Sequence, residues 1–244
     1  MQLILAEKPS VANNIAYALS ANNKNDGYFE GNGYIITFAF GHLYELCDVK
    51  DYENGFDKWE LDKFPFIPGK FKYKVKNDSG VKKQVGLIKK LANREDVMNL
   101  IIATDADREG QLIAAVIIKE LEIKKPIKRL WISSYTPKDI LKGINNLLDY
   151  KDVVPLEKAG YCRQHMDQLF GINFTSLTTL KYGNGRLLNI GRVLLPTVNL
   201  VYSRDMEIES FKKENYYQIK TIFDSKGQQY EGLYTDDKEK TGFK

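Results

Sequence analysis

The sequence predicts an α/β protein whose first part is a layered domain on a largely parallel sheet. Two observations carry this. Strand and helix patterns alternate from residue 1 to about residue 150, the order expected of βα units. Two short apolar strands also end abruptly in charge. Leu3-Ile4-Leu5-Ala6 runs into Glu7-Lys8, and Leu100-Ile101-Ile102-Ala103 runs into Thr104-Asp105-Ala106-Asp107-Arg108-Glu109. In open α/β sheets ligands bind beyond the carboxyl ends of the strands, so charge there marks a site.

The elements follow in order. Strands are expected at residues 2–6, 34–40, 99–104 and 128–132, and helices at 10–20, 81–93, 110–122 and 137–148. Pro9 and Ser10 suit a helix start. Residues 48–80 interrupt the alternation with Trp59, Phe64, Pro65, Phe66 and Pro68. Phe71-Lys72-Tyr73-Lys74-Val75-Lys76 then reads as a strand with one basic face. That face fits a solvated edge strand, or a contact with single-stranded nucleic acid.

Residues 152–182 read as a helix with Pro155 near its start and Gly183-Asn184-Gly185 as its stop. Residues 191–211 read as a second helix, broken near Pro196. From Tyr216 the pattern alternates through Tyr217, Ile219, Thr221 and Phe223, then Tyr230, Gly232 and Tyr234. Asp224-Ser225-Lys226-Gly227 between them suggests a hairpin. Residues 235–244 are polar and form no obvious element. The expected division is 1–150, 151–213 and 214–244.

Composition narrows the class. A net charge of +4 permits nucleic-acid binding without demanding it, because a basic face matters more than a total. No apolar run approaches a membrane span, and no signal peptide is visible. Cys47 and Cys162 are far apart and read as reduced thiols rather than zinc ligands, in a cytoplasmic protein.

Asp105, Asp107 and Glu109 occupy alternate positions, so in an extended segment they point the same way. Crowded carboxylates need a cation or a basic partner to stay ionised. Oxygen ligands of this kind suit Mg²⁺ shared with phosphate. The competing reading is an Asx turn followed by a helix N-cap.

Leu5-Ala6-Glu7-Lys8-Pro9-Ser10, together with Asp105-Ala106-Asp107-Arg108-Glu109-Gly110-Gln111, resembles the Toprim domain of type IA DNA topoisomerases, most closely the bacterial topoisomerase III group. Phe40-Gly41-His42-Leu43-Tyr44-Glu45 resembles the family's Gly-His-Leu segment. Arg163 to Asn173 resembles the opening of its DNA-binding part, and Gly191-Arg192-Val193 with Pro196-Thr197 resembles a helix that contacts single-stranded DNA. Three positions depart from the family pattern: Gln168 for Trp, Thr175-Ser176 for Thr-Arg, and Leu194-Leu195-Pro196 for Gln-Thr-Pro or Gln-Ser-Pro. The family's nucleophile is a tyrosine in a Tyr-Pro-Arg context, and none of the fifteen tyrosines here has it. The nucleophile is therefore expected beyond Lys244, in a chain that reads as an N-terminal part or a short relative.

The resemblance implies a Rossmann-like Toprim domain, a helical DNA-binding segment and the first strands of a β-rich arch. It implies a monomer that acts on single-stranded or underwound DNA through a phosphotyrosine link. Glu7 and Lys8 would be catalytic, with Glu7 exchanging a proton with the 3′ oxygen and Lys8 stabilising phosphate charge. Glu7, Asp105 and Asp107 would hold Mg²⁺, with Glu109 as a further ligand. Trp59, Arg108, Arg163, Gln168, Ser176, Asn189, Ile190, Gly191, Arg192, Val193 and Leu194 would meet DNA. His42, His165 and Asp167 fit structural roles as well as site roles. Two other classes remain open: a Toprim-type Mg²⁺-dependent nuclease or primase-like enzyme, and a non-catalytic single-strand-binding relative.

Overall fold

The structure is a computed structural model. It describes residues 1–244 except 54, 214, 216 and 235–244. The expected alternation at Tyr216 and the polar run at 235–244 lie outside the described residues. Strand β1 (Gln2–Ala6) leads to helix α1 (Pro9–Ala18), then to β2 (Asn23–Asn25), β3 (Tyr28–Gly31) and β4 (Tyr34–Phe38). A ribbon of β5 (Tyr44–Leu46) and β6 (Tyr73–Val75) flanks the interrupting segment. Then come α2 (Ser79–Ala92), β7 (Asn99–Ala103), α3 (Arg108–Glu120), β8 (Ile127–Arg129), α4 (Pro137–Ile144) and the two-residue β9 (Leu148–Asp149). The long helix α5 (Tyr150–Tyr182) follows directly, and α6 (Leu194–Glu209), β10 (Lys220–Ser225) and β11 (Gln228–Leu233) are the last elements among the described residues.

The main sheet has the order β2-β3-β4-β1-β7-β8-β9. Its four middle strands are parallel, and its margins β2, β3 and β9 pair antiparallel. Successive strand residues face opposite ways, and the core divides accordingly. Leu3, Leu5, Ile35, Leu100 and Ile102 pack under α2 and α3. Ile4, Ala6, Ile36, Ile101 and Ala103 pack under α1 and α4. The result is a helix–sheet–helix sandwich, as the strand–helix alternation predicts.

Register places the site. Ala6 pairs with Ala103, so β1 and β7 end side by side. Glu7 and Asp105 therefore leave the sheet at one edge.

Two compact units divide the chain, Met1–Leu195 and Pro196–Lys244. The first extends past the expected boundary at 150 because α5 packs on α3. A Cβ at Gly160 would lie 3.0 Å from Leu112 Cβ and 3.3 Å from the Arg108 carbonyl, so glycine permits this approach. A smaller apolar cluster of Cys47, Val49, Tyr52 and Phe66 also packs against Ile172 of α5. In the second unit β10 and β11 form the expected hairpin. Its loop residues Lys226 and Gly227 both have positive φ (54° and 80°), as a two-residue hairpin turn of matching twist requires.

One expectation is corrected. Pro196 does not break a helix. The helix begins at Leu194, three residues after Gly191, and Pro196 sits in its first turn. A missing N–H has no cost there.

Candidate functional site

The two strand ends converge on one ammonium group. Lys8 Nζ lies 3.4 Å from Glu7 Oε1 and 3.2 Å from Asp105 Oδ2. Glu7 is 8% exposed, and its Oε2 accepts from the Asp105 backbone N–H at 3.1 Å. The hydrogen bond to Asp105, then the nearby Glu7 charge, raise the Lys8 pKa above its ordinary value. Lys8 therefore acts as a fixed cation bridging two carboxylates.

Asp107 follows the competing sequence reading in part. It is the N-cap of α3, and its Oδ1 accepts from the Gly110 N–H at 2.7 Å. Glu109 turns elsewhere. Its carboxylate lies 3.7 Å from Arg108, 3.9 Å from Arg163 and 3.9 Å from His42. The expected convergence of three alternating carboxylates is thus corrected: α3 begins at Arg108, and helical geometry swings Glu109 away from the extended direction of Asp105. Among the described residues no group of three His, Cys, Asp or Glu side chains is disposed to hold a metal ion. Glu7 and Asp105 nonetheless fit a hard cation. Both are oxygen donors on adjacent strands, and both already share a positive partner. Mg²⁺ is commonly held by one or two carboxylates, with water and phosphate completing its shell.

Two supporting residues escape the sequence reading. Arg129, at the end of β8, has no exposed surface. Its guanidinium donates to the carbonyls of Ile102 (3.2 Å), Thr104 (2.8 Å), Asp105 (2.6 Å) and Leu130 (2.9 Å). It thereby fastens the backbone that carries Asp105. Burial pushes its pKa down to about 10, against the raising influence of Tyr135, Asp107, Asp105 and Glu7. Tyr135 donates its hydroxyl to Asp105 Oδ1 at 3.1 Å, and burial raises its pKa so that it stays a donor. A lone arginine inside an expected strand was the available signal for Arg129. Nothing in the sequence pattern marks Tyr135.

An ion-pair series leads away from the acidic end. Arg163 lies 3.9 Å from Glu109 and 3.7 Å from Asp167, and Asp167 accepts from Arg192 Nε. The Arg192 contact is the main cause that holds the Asp167 carboxyl below its usual range. Gly191-Arg192-Val193 sits just before α6 instead of inside it. Thr175 Oγ1 accepts from the Ile190 N–H at 2.9 Å and donates to the Ile190 carbonyl at 3.2 Å, and Thr179 Oγ1 accepts from the Leu188 N–H at 3.0 Å. These bonds lace the segment that includes Asn189 to α5. Leu194 is the exposed first residue of α6.

The remaining expected DNA contacts have mixed placements. Gln168 donates to the Cys47 carbonyl at 2.7 Å, and Ser176 has no exposed surface. Trp59 stands edge-on to Phe64, with ring centroids 6.4 Å apart. On the basic ribbon, Lys74 pairs with Asp51 at 2.6 Å and Lys72 with Glu53 at 3.6 Å. His165 stacks on Phe71 at 3.8 Å. Burial lowers the pKa of His165 and of His42.

A parallel sheet with a lysine and two carboxylates at its strand ends, followed by the 33-residue helix α5, defines a class. The family model described as Toprim domain matches residues 2–135, and the model described as DNA topoisomerase matches residues 153–244. The chain belongs to the Toprim family. The two matches in this order are those of the N-terminal part of a type IA, topoisomerase III-like protein.

Among curated relatives, DNA topoisomerase 3 of Staphylococcus saprophyticus is 44% identical over 218 residues, 89% of this chain and 30% of that protein. DNA topoisomerase 3 of Bacillus cereus is 42% identical over 217 residues, 89% of this chain and 29% of that protein. Full-length topoisomerase I from Thermotoga maritima aligns with a TM-score of 0.62 at 26% identity, over 94% of this chain and 34% of that one. The chain thus spans about 30% of the length of the first of these curated relatives. No described helix is long and apolar enough to cross a membrane.

Proposed function

We propose that this chain supplies the cation-binding and strand-binding part of a topoisomerase III-like enzyme. The observation that carries this reading is Lys8 bridged to Glu7 and Asp105 at adjacent strand ends, in a chain 44% identical to a DNA topoisomerase 3. In the reaction a tyrosine from sequence outside these 244 residues attacks a DNA phosphorus. The tyrosyl oxygen bonds to it, and the bond to the 3′ oxygen breaks. Mg²⁺ held by Glu7 and Asp105, with Asp107 alongside, would supply positive charge next to the phosphate.

Lys8 neutralises the charge that builds on the phosphoryl oxygens. Glu7 exchanges a proton with the departing 3′ oxygen, and religation reverses both movements. Arg192 holds a backbone phosphate once Asp167 gives way to it. The substrate is single-stranded or underwound DNA.

The test mixes the chain with single-stranded DNA and Mg²⁺. Binding without breakage is expected. Metal-dependent nicking by the chain itself, abolished by Asp105→Asn, would replace this reading with a tyrosine-independent nuclease.

A further inference from the structure

A cavity of about 490 Å³ lies against the acidic motif and is not used by the chemistry above. Ala106, between Asp105 and Asp107, forms part of its wall, with Trp131, Ser133, Ser134, Lys142 and Asn146. The volume falls in the ~300–1,000 Å³ range of small-molecule sites. The 131–135 segment is tied to the acidic site by the Tyr135 hydroxyl on Asp105. Trp131 is 40% exposed. The Arg129 guanidinium lies over its ring, 5.0 Å from the centroid, a cation–π contact that steadies the indole.

The wall chemistry selects among ligands. Asn146 Nδ2 already donates to the Lys142 carbonyl at 2.8 Å and Ser134 hydrogen-bonds Asp139, but an apolar ligand would still displace water from the Ser133 hydroxyl without replacing its hydrogen bonds. A bare phosphate gains nothing from an indole, and it would face Asp139, whose Oδ2 accepts from the Thr136 hydroxyl at 2.6 Å on the same wall. A nucleotide fits the stacking and hydrogen-bonding groups, with its phosphate toward Lys142 and away from Asp139. Its base stacks on the aromatic face, its edge meets hydroxyl and amide groups, and Lys142 offsets backbone charge.

We infer that this cavity is a nucleotide subsite of the single-stranded DNA track, in which Trp131 stacks on the base beside the phosphate held at Glu7, Lys8 and Asp105. The inference rests on the DNA-binding reading given above and adds the place and the residue.

Trp59 and Trp131 are the two tryptophans of the chain, so emission excited at the red edge, where tyrosine does not absorb, comes from these two alone. Titration of the unaltered chain with a short oligothymidylate is expected to quench that emission saturably, and Trp131→Phe to lose the Trp131 share of the quenching. In the otherwise unaltered chain, Trp131→Ala is expected to weaken binding of the labelled oligonucleotide about ten-fold, the scale of losing one stacked base, and Trp131→Phe to retain most of it. Binding with unchanged Trp131 emission and an unweakened Trp131→Ala variant would overturn the subsite and leave the DNA-binding reading intact. No binding by the unaltered chain would overturn both. The emission readout keeps Trp131 in place, so it does not depend on how well Trp131→Ala folds.

Discussion

Gly110 stands so close to Asp105 that a Cβ at position 110 would lie 2.3 Å from the Asp105 carbonyl oxygen and 2.9 Å from its amide nitrogen. Helix α3 can start beneath the acidic loop only because residue 110 has no side chain. Gly110→Ala is expected to destabilise the fold by about 1–3 kcal/mol, the usual cost of overpacking. Gly86, within α2, has nothing within 4 Å of its Cβ position. Gly86→Ala should therefore stabilise by about 0.5–1 kcal/mol. Urea denaturation reads both, and equal midpoints for the two variants would refute the packing argument.

In the proposed site Lys8 would compete with the metal ion for the same two carboxylates. Lys8→Met should lower thermal stability without Mg²⁺, because buried Glu7 and Asp105 lose the ammonium that lies 3.4 and 3.2 Å from their carboxylates and keep only Arg129 nearby. It should also tighten Mg²⁺ binding several-fold by calorimetry. Weaker Mg²⁺ binding in Lys8→Met would show that the ammonium assists the metal rather than standing in for it.

His165 is stacked on Phe71, and its Nε2 lies 3.2 Å from the Tyr73 hydroxyl. Burial, with the Lys119 charge, lowers its pKa below the ordinary 6.5. The unfolded chain therefore takes up that proton more readily, so stability is full above pH 6.5 and is lost as pH falls below it. His42 is lowered in the same direction and adds to the effect. The melting temperature should drop between neutral and mildly acid pH, and less steeply in His165→Phe, which keeps an aromatic ring against Phe71. Parallel profiles for the two proteins would remove His165 from the account.

Arg192 is held by Asp167 in the chain without DNA. Arg192→Ala should weaken single-strand binding and reduce the salt slope by about 0.7, the share of one phosphate contact. Asp167→Asn should do the opposite at low salt, tightening binding by a few-fold, because the guanidinium no longer has a competing carboxylate. Fluorescence anisotropy over a salt series measures both, and weakened binding in Asp167→Asn would mean that Asp167 positions Arg192 for DNA instead of withholding it.

The site's location was legible because β1 and β7 are uninterrupted apolar runs that end in charge, and parallel neighbours bring such ends together. The direction of Glu109 was not. Alternation predicts convergence only while the backbone stays extended, and the helix begins at Arg108. The antiparallel margin of β2 and β3 was also missed. Asn23-Lys24-Asn25 is polar and fully exposed, so no alternation marks it, although Asp26-Gly27 is a hairpin signal and Gly27 has a positive φ of 85°. Arg129 was hidden because its partners are backbone carbonyls, which leave no trace in a residue pattern.

Calorimetric titration of Mg²⁺ into the unaltered chain, Asp105→Asn and Asp107→Asn tests the central claim most directly. Saturable binding is expected in the unaltered chain, with at least about ten-fold weakening in Asp105→Asn on the scale of a lost charge partner, and a smaller loss in Asp107→Asn, whose side chain still caps α3. Equal affinity in all three proteins, at unchanged melting temperatures, would contradict the assignment of the cation to the ends of β1 and β7.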